Sequence, residues 1–281
     1  MLEIDKSLTE IQEQYQDSRS KSKFNYLITG HFGSGKTTIL ETCPRPVLVH
    51  SFDPNGALSL DPELTKKGGP IIVDNRFEFA DILDSEVIIR WQTEYNRLKK
   101  AGIFDKIGTY AIDSLTGISY DVSLKVLKTA KRISGEELAQ FKLNTGKSET
   151  YVSVDGMMHQ QDYQPLMAMV ENTVRNALRL PCCIVVTAHL QKDKDEVTGK
   201  ESCFPMVAGN LRQRLPTLFD EVYVMDVQEG ATGNKHRLLT RINAPYYART
   251  RMGRRGKFDM YEEPDIKKLM LKAGVKPLEF V

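Results

Sequence analysis

Phe24-Asn25-Tyr26-Leu27-Ile28-Thr29-Gly30-His31-Phe32-Gly33-Ser34-Gly35-Lys36-Thr37-Thr38 is the stretch that decides the fold. Its first six residues read as a β-strand. The next eight, from Gly30 to Thr37, fit the pattern G-x-x-x-x-G-K-[ST], placed between a strand and a helix. Each residue type has a physical reason. Glycines let the backbone wrap closely, so that successive N–H groups point at phosphate oxygens. A helix behind the loop adds its positive N-terminal end. Lys36 supplies a point charge for β- and γ-phosphates, and the Thr37 hydroxyl suits Mg²⁺. The expected phosphate contacts are Gly30, Gly33, Ser34, Gly35, Lys36, Thr37 and Thr38, with ATP and Mg²⁺ as cofactors. A glycine-rich turn that merely precedes a helix is the bland alternative.

Working outward, the helix after this loop is short, because Pro44 and Pro46 stop it. Residues 47–52 read as a second strand. Residues 85–101 read as a helix, with Ile88, Trp91, Tyr95 and Leu98 on one face and Gly102 closing it. Residues 109–113 form a short strand whose end, Ile112-Asp113-Ser114, offers a carboxylate. Asp113 is either a magnesium ligand through water or the N-cap of the segment that follows. A helix is expected around residues 120–130 and another over 163–180, ending before Pro181. The apolar run 182–188 reads as a buried parallel strand. Residues 131–160 and 190–217 read as long polar loops. Residues 221–227, 235–242 and 246–251 read as strands, and 264–273 as a short helix ending at Gly274. Strand and helix alternate through the first two-thirds, which implies an α/β fold with a mostly parallel central sheet flanked by helices, plus a C-terminal β-hairpin extension. The expected division is an N-terminal arm or helix over 1–23, a core over 24–258 and a C-terminal helix and tail over 259–281.

With these segments in place the chain resembles the RecA-like P-loop NTPases, and within them phage-encoded proteins of the recombinase and single-strand annealing type. The phosphate loop, Ile112-Asp113-Ser114, Ile184-Val185-Val186-Thr187-Ala188-His189 and Tyr246-Tyr247-Ala248-Arg249-Thr250-Arg251-Met252-Gly253 carry the resemblance. It implies that His189 is a polar sensor of the γ-phosphate, the alternative being a cap on a buried strand. It implies that Arg249 and Arg251 reach the nucleotide of a neighbouring subunit, the alternative being a solvated basic strand. Arginine suits that task because its planar fork binds phosphate bidentately. The family commonly has Lys where Arg249 stands. After its second strand the family usually carries an acidic residue that activates water, and the matching position here is Asn55, which cannot act as a general base. Either Asp53 substitutes or hydrolysis is slow.

The resemblance also implies single-stranded DNA as a partner, contacted by the two long polar loops. In the second loop the candidates are Lys192, Lys194, Lys200, Arg212 and Arg214. Lysine and arginine contacts to phosphate would make binding sequence-independent and salt-sensitive. Aromatic residues for base stacking are sparse there, Phe204 being the one in the second loop. Further implied partners are copies of the chain itself, in a filament or ring, and a single-strand-binding protein. Two competing readings stay open. One is a nucleic-acid motor of the helicase or packaging type, which the missing acid at Asn55 opposes. The other is a non-DNA P-loop kinase or switch.

Composition bounds these readings. The chain has 281 residues, 41% of them hydrophobic, and a net charge of only +2. That is enough apolar content for a sizeable core and too balanced for a disordered chain. No run approaches the ~20 apolar residues that span a bilayer, and the first residues lack the pattern of a signal peptide. A cytoplasmic location is expected, and the four cysteines lack C-x-x-C spacing. The charge is unevenly spread. Residues 230–258 hold eight basic and no acidic residues, leaving the rest of the chain at −6.

Overall fold

The computed structural model describes residues 8–13, 23–78, 86–129, 158, 160–230, 233–253 and 256–280. Residues 8–13 are helical and exposed. The expected DNA loop over 131–160, apart from 158 and 160, lies outside the described residues, as does most of the N-terminal arm.

Nine strands are formed among the described residues: β1 (Asn25–Gly30), β2 (Val47–Ser51), β3 (Ile71–Asp74), β4 (Thr109–Asp113), β5 (Cys183–Lys194), β6 (Glu201–Pro205), β7 (Glu221–Gln228), β8 (Lys235–Leu239) and β9 (Tyr261–Glu262). The order across the sheet is β3-β2-β4-β5-β1-β7-β8-β9, with β6 paired to the outer end of β5. From β3 to β7 every pairing is parallel, and β7-β8-β9 finish the sheet antiparallel. Strands β2 and β4 are buried along their whole length, as expected of apolar runs covered on both faces.

Helices α1 (Val87–Lys100), α2 (Leu115–Thr129) and α3 (Tyr163–Ala177) cover one face. Their apolar sides, including Trp91, Val122 and Val170, meet Leu27, Ile112, Ile184 and Val186 of the strands. On the other face α4 (Ile266–Ala273) and the turn after the phosphate loop pack Leu269, Met270, Ile39 and Leu40 against Tyr26, Val49, Val185 and Tyr223. The caps of α4 are regular: the Asp265 carboxylate accepts from the Lys268 N–H, and Gly274 ends the helix with φ +82°.

Four expectations are corrected. The helix behind the phosphate loop is a single 3-10 turn, Thr38–Thr42, so the aligned dipole expected of an α-helix is largely missing. The segment 190–217 is not a loop. β5 runs on to Lys194, turns and returns as β6, followed by a short helix, Leu211–Arg214. The turn is closed by Asp195, whose carboxylate accepts from the N–H groups of Val197 and Thr198, and by Gly199 at φ +68°. Residues 246–251 do not form a strand. β8 takes the outer edge of β7 from Val224 to Gln228, and in place of a ladder residues 246–251 make isolated bridges, Arg249 with Val222 and Tyr246 with Cys203 and Asn243. Finally, α2 begins at Leu115, earlier than its sequence suggests.

Candidate nucleotide-binding site

The parallel strands end side by side, and the ends of parallel strands are where open α/β sheets place their ligands. In register across the sheet stand Ser51 with Asp113, and Gly30 with His189 on one side and Met225 on the other. A cleft of about 850 Å³ opens over these ends. Of the expected residues, Gly33, Gly35, Lys36, Thr37, Thr38, Asp53 and His189 line it.

The loop is held by its own chemistry. The His31 carbonyl accepts from the Ser34 N–H (3.3 Å), the Ser34 hydroxyl (2.7 Å) and the Lys36 ammonium (2.9 Å). Gly30 and Ser34 support the loop from behind: a Cβ on Gly30 would lie 2.4 Å from the Ser34 hydroxyl oxygen and 2.8 Å from the Met225 carbonyl oxygen, so no larger residue fits. Gly35 has φ +90°, which side chains rarely adopt.

The acidic strand end meets the loop directly. The Thr37 hydroxyl donates to an Asp113 carboxylate oxygen at 2.7 Å, and the Thr187 hydroxyl of β5 bonds to the other oxygen. Burial pushes the Asp113 carboxyl up, the two threonine hydroxyls oppose this, and the neighbouring Asp53 adds to it. Lys36 is pushed down by burial, with Asp113 and Asp53 pulling the other way. A hydroxyl and a carboxylate oxygen held together beside a lysine form a hard-oxygen donor set that fits Mg²⁺, so Thr37 and Asp113 are the residues that would hold it. Among the described residues no cluster of three or more His, Cys, Asp or Glu is suited to a metal by itself.

Asp53 sits at the cleft wall. One oxygen accepts from the Ser114 hydroxyl at 2.7 Å, and the other lies 3.2 Å from His189 Nε2. Burial raises this carboxyl, but the hydrogen bonds from His189 and Ser114 and the charges of His189 and Lys36 outweigh it and hold it below its ordinary value. It is therefore ionised. Asn55 takes a left-handed backbone (φ 57°), and its N–H donates to Glu78 at 2.9 Å. Glu78 also accepts from Ser51 at 2.6 Å, so a buried carboxylate braces the turn that carries Asp53. The backbone N–H of His189 is fixed by the Thr116 hydroxyl at 3.1 Å.

The two arginines lie elsewhere. Arg249 turns into its own chain and donates to the carbonyls of Pro216, Thr217 and Phe219 at 3.2, 3.1 and 2.6 Å. Burial lowers its guanidinium, with Arg251 adding to the effect. Reaching a neighbouring subunit would require it to leave all three carbonyls. Arg251 is more than half exposed and pairs with Asp220 at 2.9 Å. Three more basic residues of the +8 segment are engaged at home: Arg237 with Asp226 and over the Tyr261 ring, Arg241 with the Phe258 carbonyl, and Lys257 with the Ala273 carbonyl.

The expected DNA residues gather on and beside the β5–β6 hairpin. Lys192 pairs with Glu201, Arg212 with Asp193 and Arg214 with Glu171, whereas Lys194 and Lys200 are exposed and show no ion pair among the described residues. The hairpin is tied to the cleft, because the Met206 N–H donates to the His189 carbonyl at 2.8 Å. Phe204 stacks on Tyr247 with ring centroids 5.2 Å apart.

Several residues that line the cleft were not visible in the sequence, among them Met225, Pro264 and His236. His236 of β8 lines the cleft and contacts the loop at Ser34. No spacing or motif points to it, because β8 reaches the loop only through the order of strands in the sheet. Among the described residues the four cysteines are buried and form no disulfide, and no helix is long and apolar enough to cross a membrane.

A family model described as an AAA domain, AAA_24, matches residues 22–252. No curated protein matches the chain. Solved structures similar to it include a KaiC-like protein from the hyperthermophilic archaeon Pyrococcus horikoshii, at 16% identity and a TM-score of 0.36 over 81% of each chain. A prototypical ATPase from the type III secretion system of pathogenic bacteria matches at 14% identity and a TM-score of 0.38, over 72% of this chain and 52% of that one. The flagellar accessory protein FlaH from Methanocaldococcus jannaschii matches at 10% identity and a TM-score of 0.38, over 85% and 83%.

Proposed function

The chain belongs to the AAA_24 family of AAA domains, and from that premise we propose that it binds MgATP in the cleft and single-stranded DNA at the β5–β6 hairpin, as a protein of recombination or strand annealing. Its sheet and phosphate loop are those of a RecA-like P-loop ATPase. The nucleotide assignment rests on one observation above others: Thr37 at the loop and Asp113 at the end of β4 are 2.7 Å apart, with Lys36 beside them. Distant segments converge there on the groups that MgATP requires.

The DNA assignment is supported by continuity. One strand, β5, runs from His189 at the cleft into the hairpin that carries Lys192, Lys194 and, across the turn, Lys200. A shift of His189 against a γ-phosphate would be passed to the hairpin through the strand and through the Met206 contact. Arg251, exposed and held only by a surface pair with Asp220, is the better of the two arginines to meet a second copy of the chain. Head-to-tail contact of that kind closes into rings or runs on as filaments.

The test is single-stranded DNA binding, followed by fluorescence anisotropy at several salt concentrations, with and without a non-hydrolysable ATP analogue. Salt-sensitive binding that strengthens with the analogue is expected. Equal affinity in both conditions rules the coupling out. Asp53, ionised and beside His189, favours a second reading, a nucleic-acid motor with brisk turnover. DNA-stimulated hydrolysis of many ATP per second would select it.

A further inference from the structure

We infer that His236 is a positioning residue for the phosphate loop, fixing the Ser34–Gly35 peptide so that the loop is preset for a nucleotide. The inference rests on the reading of the cleft as a nucleotide site and adds to it a residue outside every phosphate-loop motif. The geometry is specific. His236 Nδ1 lies 2.9 Å from the Ser34 carbonyl oxygen. A carbonyl only accepts, so Nδ1 carries the proton and the ring is held in one tautomer. A Cβ on Gly35 would meet the same Nδ1 at 3.3 Å and the Met225 methyl at 3.3 Å, so the imidazole lies close against the glycine backbone.

The peptide so held precedes a glycine whose backbone is free to turn over. Gly35 sits at φ +90°, where glycine has alternative backbone conformations of similar energy. The Ser34 carbonyl and the Gly35 N–H share one rigid peptide plane. Fixing the carbonyl therefore fixes the N–H that follows it. Phosphate binding by successive backbone N–H groups depends on their all facing one way, and presetting them lowers the ordering cost of binding. His236 performs this from outside the loop. It stands on β8, which is joined to β7, and β7 in turn flanks the loop's own strand β1. The antiparallel hairpin β7–β8 is thus an external brace for the nucleotide site.

Three variants separate this role from bulk packing. His236→Asn keeps a donor near the position of Nδ1, His236→Phe keeps the ring without the donor, and His236→Ala removes both. Binding of a fluorescent ATP analogue with Mg²⁺ is titrated for each, alongside thermal unfolding without nucleotide. The Phe and Ala variants are expected to bind about 5- to 10-fold more weakly, as the loss of one well-placed hydrogen bond implies. The Asn variant is expected within about twofold of the parent chain, the donor being retained. Unchanged affinity in the Phe variant overturns the inference, and so does an equal loss in the Asn and Phe variants. Failure of the parent chain itself to bind MgATP overturns the nucleotide reading, a different result.

Discussion

Two residues of this protein carry chemistry that their neighbours set. Asp53 stands where the strand after the phosphate loop turns, and its hydrogen bonds from Ser114 and His189 keep it ionised in a half-buried cleft wall. If it takes the proton from an attacking water, Asp53→Asn lowers ATP turnover about 100-fold or more while MgATP affinity changes little. Turnover and binding measured on the same variant check this, and an unaltered turnover number removes Asp53 from the reaction. His50, one strand position before Ser51, is buried among aromatic rings, with the Trp91 indole N–H donating to its Nδ1 at 2.7 Å. Burial holds its pKa down to about 4, with Asp74 and Glu94 opposing and Arg76 assisting. A folded-state pKa below the unfolded value of about 6.5 means that the unfolded chain binds the extra proton. Stability is therefore full above pH 6.5 and is lost as the pH falls towards 4. Denaturant unfolding of the parent chain and of His50→Gln at pH 7 and pH 5 should show the gap between them shrinking by about 2 kcal/mol in acid. A gap that stays constant with pH contradicts the assignment.

At the scale of elements, the hairpin β5–β6 marks where sequence reading succeeds and where it stops. The parallel part of β5 was legible because its short run of apolar residues suits a strand buried on both faces. The rest was not, because only its base buries side chains, at Leu190, Cys203 and Pro205, and the charged tip beyond has no apolar alternation to betray it. Its one local sign is Asp195 followed four residues later by Gly199, a turn signature rather than a strand signature. Residues 246–251 failed in the opposite way. They look like a strand, but β8 takes the outer edge of β7 from Val224 onward, the short stretch left open carries only the Val222–Arg249 bridge, and Arg249 is spent on the carbonyls around Pro216. The phosphate loop and Asp113 were legible because their chemistry is local, whereas His236 depends on strand order. The hairpin also makes a prediction. Replacing Lys194 and Lys200 together by Glu should weaken single-stranded DNA binding and flatten its salt dependence, each lost phosphate contact lowering the slope by roughly 0.7. MgATP affinity should not change, since neither residue lines the cleft. An equal loss of both activities would mean that the change disturbs the fold.

Across the whole molecule, net charge is a poor guide to use. The +2 total hides a +8 segment, yet most of the described basic residues of that segment are engaged within the chain, Arg237 and Arg251 by the carboxylates of Asp226 and Asp220 and three others by backbone carbonyls. What remains to recognise other molecules is the cleft at the ends of the parallel strands and the hairpin tied to it through His189. The first of these decides everything else, because without nucleotide in the cleft neither the coupling to DNA nor the bracing by His236 has meaning. Isothermal titration of ATP into the parent chain and into Lys36→Ala, each with and without Mg²⁺, addresses it. One nucleotide per chain, dependent on Mg²⁺ and weakened about 10- to 100-fold by Lys36→Ala, is the expected result. Equal binding by the two proteins, or no binding by the parent chain, would contradict it.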